Sequence, residues 1–438
     1  STTVVPPSSS LTQVLLHHRQ GLPLFRGVHC RYNACVAERG TFRMIAYGTI
    51  DERAAALQDE MVALRRDFHA HPELGFEERR SSAAIARYLS GLGLEVRTGL
   101  ASTGVAAVLQ GSRPGRTLML RADMDALPIQ ELNDVDYRSK NPGVMHACGH
   151  DGHMAILLGA ARLLSSLKDS LSGRIVFVFQ PAEENLGGAR SMIDDGVLDN
   201  PRVDAALGLH LISILPHGYV GTRSGPFMAS VDVFTTRIHG RGGHSAMPGG
   251  SVDAIALSAD LLSGLNDHVR RGLPDGSRFL VNIGTIHGGT APNVVADLVE
   301  LQGTVRCLDD PVRPLIRDLM EGFLRETMTP RDARFELDYL QGYPIVVNDP
   351  AMTDLLVGAA GRVVGPDHVI DMPPAMASED MAFYLQRVPG CYFFVGAGSD
   401  DAGMNAPHHN PRFAIDDRSL GTGLKTLCLA AVDYLESS

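Results

Sequence analysis

The run Arg174–Gln180 (RIVFVFQ) restricts the possible folds of this chain more than any other stretch. Its apolar residues do not alternate with polar ones, so a strand built from them needs cover on both faces. A parallel sheet sandwiched between helices meets that need. The flanking segments supply the cover. Asp151–Leu167 reads as a helix whose small residues (MAILLGAARLL) allow close packing, and AALGLH (Ala205–His210) reads as the next buried strand. Upstream, Ala54, Leu57, Met61, Val62, Leu64 and Phe68 recur at helical spacing. A second helix is predicted over Glu77–Leu92, with strands over Gly104–Gln110 and Thr117–Arg121. Helix and strand alternating in this way predict a doubly wound α/β layer.

After Gly225 the pattern changes. Ala229–His239 alternates as a strand, Val252–Val269 is helical, Phe279–Ile286 and Asp297–Cys307 are strands, and Pro311–Thr327 is helical. Strand–helix–strand–strand–helix–strand order predicts a small α+β, ferredoxin-like sandwich with two helices on one face. We place it as an inserted satellite domain, residues 226–338. The first domain, a mixed sheet, then comprises 44–225 and 339–438. It resumes with a helix at Met352–Val364, a strand at Cys391–Val395 and a helix near Leu420–Leu435. Two domains also suit a length of 438 residues.

Residues 1–43 stand apart, with five Arg, one acidic residue (Glu38) and little periodicity. That composition resembles an organelle transit peptide. A disordered extension, or translated sequence upstream of Met44, is the plainer reading. The formal net charge of −11 argues against nucleic acid and anionic membranes as partners. Six cysteines scattered through this length make no disulfide framework, so a reducing, cytoplasmic compartment is expected unless the N-terminal segment directs the chain to an organelle.

Chemistry concentrates in four places. In MHACGHDGH (Met145–His153), Cys148 and His150 are two apart and point the same way on an extended segment. A thiolate with an imidazole suits a borderline-soft cation such as zinc. The plain alternative is a buried cysteine beside a helix start. Glu183 and Glu184 follow the buried strand, at the carboxyl end where α/β sheets place ligand sites. One can hold a cation while its neighbour acts as general base. His210 ends another apolar run, and His408-His409-Asn410-Pro411 follows the strand containing Tyr392–Val395. Four segments thus put Cys, His or Glu just beyond predicted strands.

Together RRDFHAHPELGFEE (Arg65–Glu78), LRADMDALPIQE (Leu120–Glu131), MHACGHDGH, QPAEE (Gln180–Glu184), GRGGHSAMP (Gly240–Pro248) and HHNP resemble one family. It is the amidohydrolase branch of the co-catalytic two-metal metallopeptidases, which includes hippurate hydrolases, N-acyl-amino-acid amidohydrolases and auxin-conjugate hydrolases. The similarity runs from about residue 52 to the C-terminus, with the motifs in family order. It implies that Cys148 bridges two divalent ions, zinc or manganese first, with cobalt and nickel compatible. His150, Glu184, His210 and His409 would complete the set. In HHNP the family's ligand is the His directly before Asn-Pro, so His409 is preferred to His408. Glu183 would be the general base and then the proton donor, and Asp125 the acid that orients the metal site. Asp123 takes a position filled by a metal-binding His in other branches and is left unassigned. His244 would reach the reacting carbonyl or the substrate carboxylate when the domains close. Asn293 and Arg306 are similar to carboxylate contacts of the family.

The implied reaction is hydrolysis of N-acyl amino acids, hippurate-like, to a carboxylic acid and a free amino acid. A dipeptidase or carboxypeptidase would use the same site. A silent small-molecule-binding protein is a third possibility, which the intact Glu183 and five ligands argue against. Relatives are often homodimers or homotetramers. Two departures touch no proposed ligand. Gly249 and Asp253-Ala254 replace a His and a later Asp-Pro, and Met381 stands where Phe is more usual.

Overall fold

The computed structural model describes residues 40–184, 187–247, 249–400 and 403–437. Most of the expected extension 1–43 therefore lies outside the described residues, and Gly40 opens the first helix. The chain enters through α1 (Gly40–Ala70) and α2 (Arg79–Gly91), followed by β1 (Glu95–Leu100), β2 (Gly104–Gln110) and β3 (Arg113–Asp123). Helix α3 (His150–Ser165) crosses to β4 (Ser172–Gln180), and α4 (Gly188–Asp194) crosses to β5 (Ala205–Pro216). Short strands β6 (Val220–Thr222) and β7 (Gly225–Met228) lead to a second sheet. There the order is β8 (Ser230–His239), β9 (Gly243–His244), α5 (Ala254–Gly272), β10 (Phe279–Gly288), β11 (Val294–Val295), β12 (Leu298–Cys307), α6 (Arg313–Met328) and β13 (Arg334–Gln341). The chain returns through β14 (Val346–Asn348), α7 (Pro350–Val364), β15 (Val369–Asp371), α8 (Met381–Leu385), β16 (Gly390–Gly398) and α9 (Arg418–Glu436).

The first sheet has the order β1-β2-β4-β3-β5-β16-β6-β15. Its centre, β4-β3-β5-β16, is parallel, and antiparallel pairings carry it out to β2 and β1 on one side and to β6 on the other. From β3 the chain steps to β4 on one side, then to β5 on the other. That reversal opens a crevice at the carboxyl ends of β3 and β5, where doubly wound sheets bind their ligands. Asp123 pairs with Gln180, and Arg121 pairs with Val178 and Gly208. His210, two residues beyond Gly208, therefore stands in the same row as Asp123 and Gln180.

Both faces of the sheet are covered, as the unbroken apolar run of β4 requires. On one face α1, α2, α3, α7 and α9 pack over Leu118, Leu120, Phe177, Phe179, Leu207 and Phe393. The other face is closed by α4, α8 and short strands around Met119, Val176, Val178 and Tyr392. Helix α3 is buried nearly all round. At Gly159 a Cβ would sit 2.8 Å from Met61 Sδ, so only glycine lets α1 approach this closely.

The second sheet, β10-β12-β8-β13, is antiparallel throughout and has its own core. Leu257, Leu261, Leu265 and Val269 of α5 meet Ile316, Met320, Leu324 and Met328 of α6 over Phe234, Ile238 and Leu301. Asp253 caps α5, accepting from the N–H groups of Ile255 and Ala256, a contribution of about 1 kcal/mol. β7 pairs with β14 and stays outside this sheet. No helix among the described residues is long and apolar enough to cross a membrane.

One local expectation changes, and two short features carry no sequence signal. β5 runs on to Pro216, so His210 lies inside a strand, because Leu211 and Ile212 continue the ladder with Val395 and Gly396 of β16. Gly187 leads directly into α4. At Gly188 a Cβ would fall 1.6 Å from the Pro181 carbonyl oxygen, so this close approach needs glycine there. The edge strand β1, half exposed and without alternation, carries no periodic signal to read.

Candidate metal centre

The crevice gathers side chains from four segments. Gly149, in the left-handed region at φ +90°, turns the chain between Cys148 and the first residue of α3, His150. Cys148 Sγ lies 3.5 Å from His210 Nε2 and 3.5 Å from His408 Nδ1. His409 Nε2 lies 3.0 Å from Glu184 Oε1. Ligand atoms fall within 4.8 Å of one another in overlapping sets: Cys148–His150–His210, Cys148–Glu184–His409 and His150–Glu183–Glu184. The structure thus brings together the five expected ligands and Glu183.

Hydrogen bonds sort the histidines into two kinds. His150 Nδ1 faces the Asp125 carbonyl at 2.8 Å, and His210 Nδ1 faces the Leu211 carbonyl at 2.8 Å. A carbonyl only accepts, so each Nδ1 carries the proton and each Nε2 keeps a lone pair for a cation. His153 is the reverse. Its Nε2 accepts the Leu211 N–H at 2.9 Å, and its Nδ1–H donates to Asp123 Oδ1 at 2.6 Å. With both nitrogens engaged, His153 supports the site without a free lone pair. His408 likewise accepts the Ser213 N–H on Nε2, at 3.4 Å. Burial pushes His210 well below the usual imidazole range and His408 down to about 3. Burial also opposes charge on His150, but Asp123 and Asp125 carry it up to about 10. The same carboxylates favour a cation in that proton's place.

The Glu183–Glu184 pair is held by its backbone. Both oxygens of the Asp125 carboxylate are used, accepting the N–H of Glu183 at 3.0 Å and of Glu184 at 2.9 Å. Glu78 Oε1 accepts the Ala182 N–H at 2.9 Å, and Tyr343 donates its hydroxyl to the Glu183 carbonyl. Three successive amides are therefore gripped while Ala182 sits in the left-handed region at φ +54°. Burial raises Glu183 well above the carboxylate range, and Glu379, Glu184, Asp380 and Asp125 push it the same way.

Behind Glu183 lies a buried ionic knot. Arg121, 1% exposed, donates to Asp123 at 2.7 Å, Asp380 at 2.7 Å and Gln180 at 2.9 Å, and lies 3.0 Å from Glu379. Tyr392 donates to Glu379 at 2.6 Å. Asp123, unassigned from the sequence, links this knot to His153. The motifs LRADMD and MASED (Met376–Asp380) contain Arg121, Asp123, Glu379 and Asp380, but only the fold shows them meeting. His69 was also unread. It joins Asp151, in the first turn of α3, to Glu131.

Glu78 titrates in a useful window. Burial pushes its carboxyl from an ordinary 4.5 up to about 7, against the hydrogen bond from Thr103. The folded chain then keeps a proton that the unfolded chain loses, so this group makes stability fall as pH rises from about 4.5 to about 7. The loss is on the order of 3 kcal/mol. Glu78→Gln is expected to remove it. Urea midpoints at pH 5 and pH 8 measure this, and equal losses in the variant and the unaltered protein would contradict it.

The remaining predicted residues lie elsewhere. His244 is exposed on β9, its Nδ1 accepting the Ala246 N–H at 3.1 Å. Asn293 stands beside it, its carbonyl accepting the Ser245 N–H, and β9 pairs with β11. His244 does not belong to the cluster of candidate ligand atoms. Arg306, half-buried in β12, donates to the Met376 carbonyl at 3.0 Å and to Ser378 at 3.3 Å. It thereby ties the second sheet to the strand-to-helix turn that carries Glu379.

Comparisons with known proteins agree with this architecture. Over 293 residues the chain is 43% identical to an N-acyl-L-amino acid amidohydrolase of Geobacillus stearothermophilus, covering 67% of this chain and 79% of that one. It is 39% identical over 382 residues to thermostable carboxypeptidase 2 of Saccharolobus solfataricus, covering 86% and 96%. The YxeP protein of Bacillus subtilis, described as a dinuclear metal binding peptidase, has a crystal structure that matches with a TM-score of 0.76 at 32% identity. That match covers 88% of this chain and 100% of the other. Residues 119–433 match peptidase family M20/M25/M40, and the chain belongs to that family.

Proposed function

We propose that this chain, a metal-dependent amidohydrolase of that family, cleaves N-acyl amino acids to a carboxylic acid and a free amino acid. The observation that carries the reading is the union of Glu183 with a cysteine sulfur, three imidazoles and a second carboxylate in one crevice. Cys148, His150, Glu184, His210 and His409 would hold two divalent cations, zinc or manganese, as the mixed sulfur, nitrogen and oxygen donors suit. Bound there, the cations supply a Lewis acid for the scissile carbonyl and lower the pKa of water. Glu183 accepts the proton of the attacking water. It then returns that proton to the amide nitrogen, which leaves poorly as an anion. Asp125 keeps Glu183 and Glu184 aligned through their backbone.

Residues 226–338 act in this reading as a lid. His244 and Asn293 share one ribbon and arrive together when it closes, His244 at the carbonyl or the substrate carboxylate and Asn293 at the carboxylate. Among the described residues Arg306 pairs with no carboxylate, which supports a role for it at the substrate carboxylate. The open edge of β10, with Leu280 and Ile286 exposed, supports a homodimer or homotetramer. Free Cys148, Cys307, Cys391 and Cys428 suit a reducing, cytoplasmic setting.

The test is amine release from benzoyl-glycine, acetyl-methionine, indoleacetyl-alanine and several dipeptides, metal-free and with zinc or manganese added. We expect metal-dependent cleavage of the acylated compounds. Cleavage of dipeptides alone would establish the carboxypeptidase reading, which the Saccharolobus relative favours. Silence across the panel with metal bound would remove both.

A further inference from the structure

Beyond the end of β3 the edge of β5 is open, and histidines close it. The β3–β5 pairing stops at Arg121 and Gly208, so Leu211 and Ser213 have no strand partner on that side. Leu211 donates its N–H to His153 Nε2, and Ser213 donates its N–H to His408 Nε2. An unpaired buried amide costs about as much as a lost hydrogen bond, so both imidazoles are fixed by the backbone they cap. Each then has its only proton on Nδ1. In His153 that proton meets a carboxylate. In His408 it faces Cys148, whose Sγ lies 3.5 Å from Nδ1 and whose backbone carbonyl also accepts from the ring.

We propose that His408 is a positioning residue of the metal centre, donating an Nδ1–H···S hydrogen bond to the Cys148 thiolate that holds the cations. The inference rests on the reading of Cys148 as a ligand. A thiolate that held two cations would keep one lone pair, and the His408 N–H is placed to meet it. The hydrogen bond fixes the direction of Sγ and draws charge from it. Ser213 holds the arrangement twice, since its hydroxyl also donates to the Ala406 carbonyl at 2.7 Å. The His408 ring centroid lies 4.7 Å from that of Phe413 and 5.1 Å from that of His210, and this packing restricts its rotation. Of the two adjacent histidines, His409 thus presents Nε2 to Glu184 while His408 serves the sulfur.

The experiment loads full-length protein with cobalt(II) and reads the thiolate-to-cobalt charge-transfer band together with cobalt affinity. Neither readout needs hydrolysis. His408→Leu removes the donor. His408→Gln places an amide near Nε2, able to meet Ser213 but leaving Sγ without a partner. His408→Asn puts an N–H near the Nδ1 position. We expect the band to move to longer wavelength and affinity to fall about 10–100-fold in the Leu and Gln variants. The Asn variant should stay near the unaltered protein in both. Should His408→Leu fold poorly, the Gln and Asn pair carries the same contrast. An unchanged band and affinity in the Gln variant would overturn the proposal. So would loss of one cobalt equivalent in all three variants, which would make His408 a ligand. No charge-transfer band in the unaltered protein would remove Cys148, and this proposal with it, while leaving amide hydrolysis standing.

Discussion

Glu183→Gln is expected to lower kcat by about 10³-fold while cation stoichiometry stays unchanged. Glutamine has the shape of glutamate but cannot take a proton from water or hand one to the leaving nitrogen. Nothing else in the site needs to move. The Glu183 N–H remains on Asp125, its carbonyl remains with Tyr343, and the five candidate ligands are untouched. The pH profile adds a second signature. Glu183 must be ionised to act as a base, so activity rises with pH through its titration. Burial and then Glu379, Glu184, Asp380 and Asp125 hold that titration high, and cations in the crevice pull it down. The acid limb of kcat/KM should therefore belong to Glu183 and vanish in the variant. Steady-state kinetics across pH, with cations per chain measured by elemental analysis, decides the matter. A variant within about tenfold of the original kcat would transfer the base role to another group.

The second large effect is on folding. Arg121→Met is expected to destabilise the protein by about 3–5 kcal/mol, enough to leave little native chain. Methionine fills much of the same volume, so the cost is electrostatic. Asp123, Glu379 and Asp380 are each no more than 1% exposed, and Arg121 is the cation common to all three. Removing it strands three buried carboxylates in a region of low dielectric. Arg121→Lys keeps the charge but not the fork that reaches Gln180, Asp123 and Asp380 together, so it should recover only part of the loss. Urea denaturation of the three proteins measures this, and a midpoint for Arg121→Met equal to the original would show that the knot contributes nothing. Because Asp123 orients His153 and Glu379 faces Glu183, cation affinity should fall in the same order.

Regular elements with a strong period were legible from residues alone. RIVFVFQ demanded a strand covered on both faces, and β4 is one. The strand–helix order after Gly225 predicted a four-stranded sheet with two helices on one face, and β8, β10, β12 and β13 form it under α5 and α6. What escaped notice lacked a period or was short. β1 is half exposed, β6 and β15 are three residues each, and α4 is seven. The continuation of β5 past His210 depended on a partner, β16, almost two hundred residues away.

The site divides along the same line. The kinds of donor and their segments are set locally, because a Cys two residues from a His, or two adjacent carboxylates after a strand, are properties of neighbours in the chain. Which nitrogen of each histidine is free is not. It depends on whether the facing group is a carbonyl, as for His150 and His210, or a backbone N–H, as for His153 and His408. Those facing groups come mostly from β5 and from the loop after β3, placed there by sheet register. Arg121 and Asp123 show the same limit. Two residues apart on one strand, they read as an ordinary polar end until Glu379 and Asp380 arrive from the far end of the chain and make them a buried ionic centre. The sequence by itself determined the layers and the donor types, since these follow from local period and side-chain chemistry, while the reaction class came from the resemblance of its motifs to a family. Tertiary structure alone decided protonation, orientation and support, since each of these is an interaction between groups that only folding brings within hydrogen-bond distance.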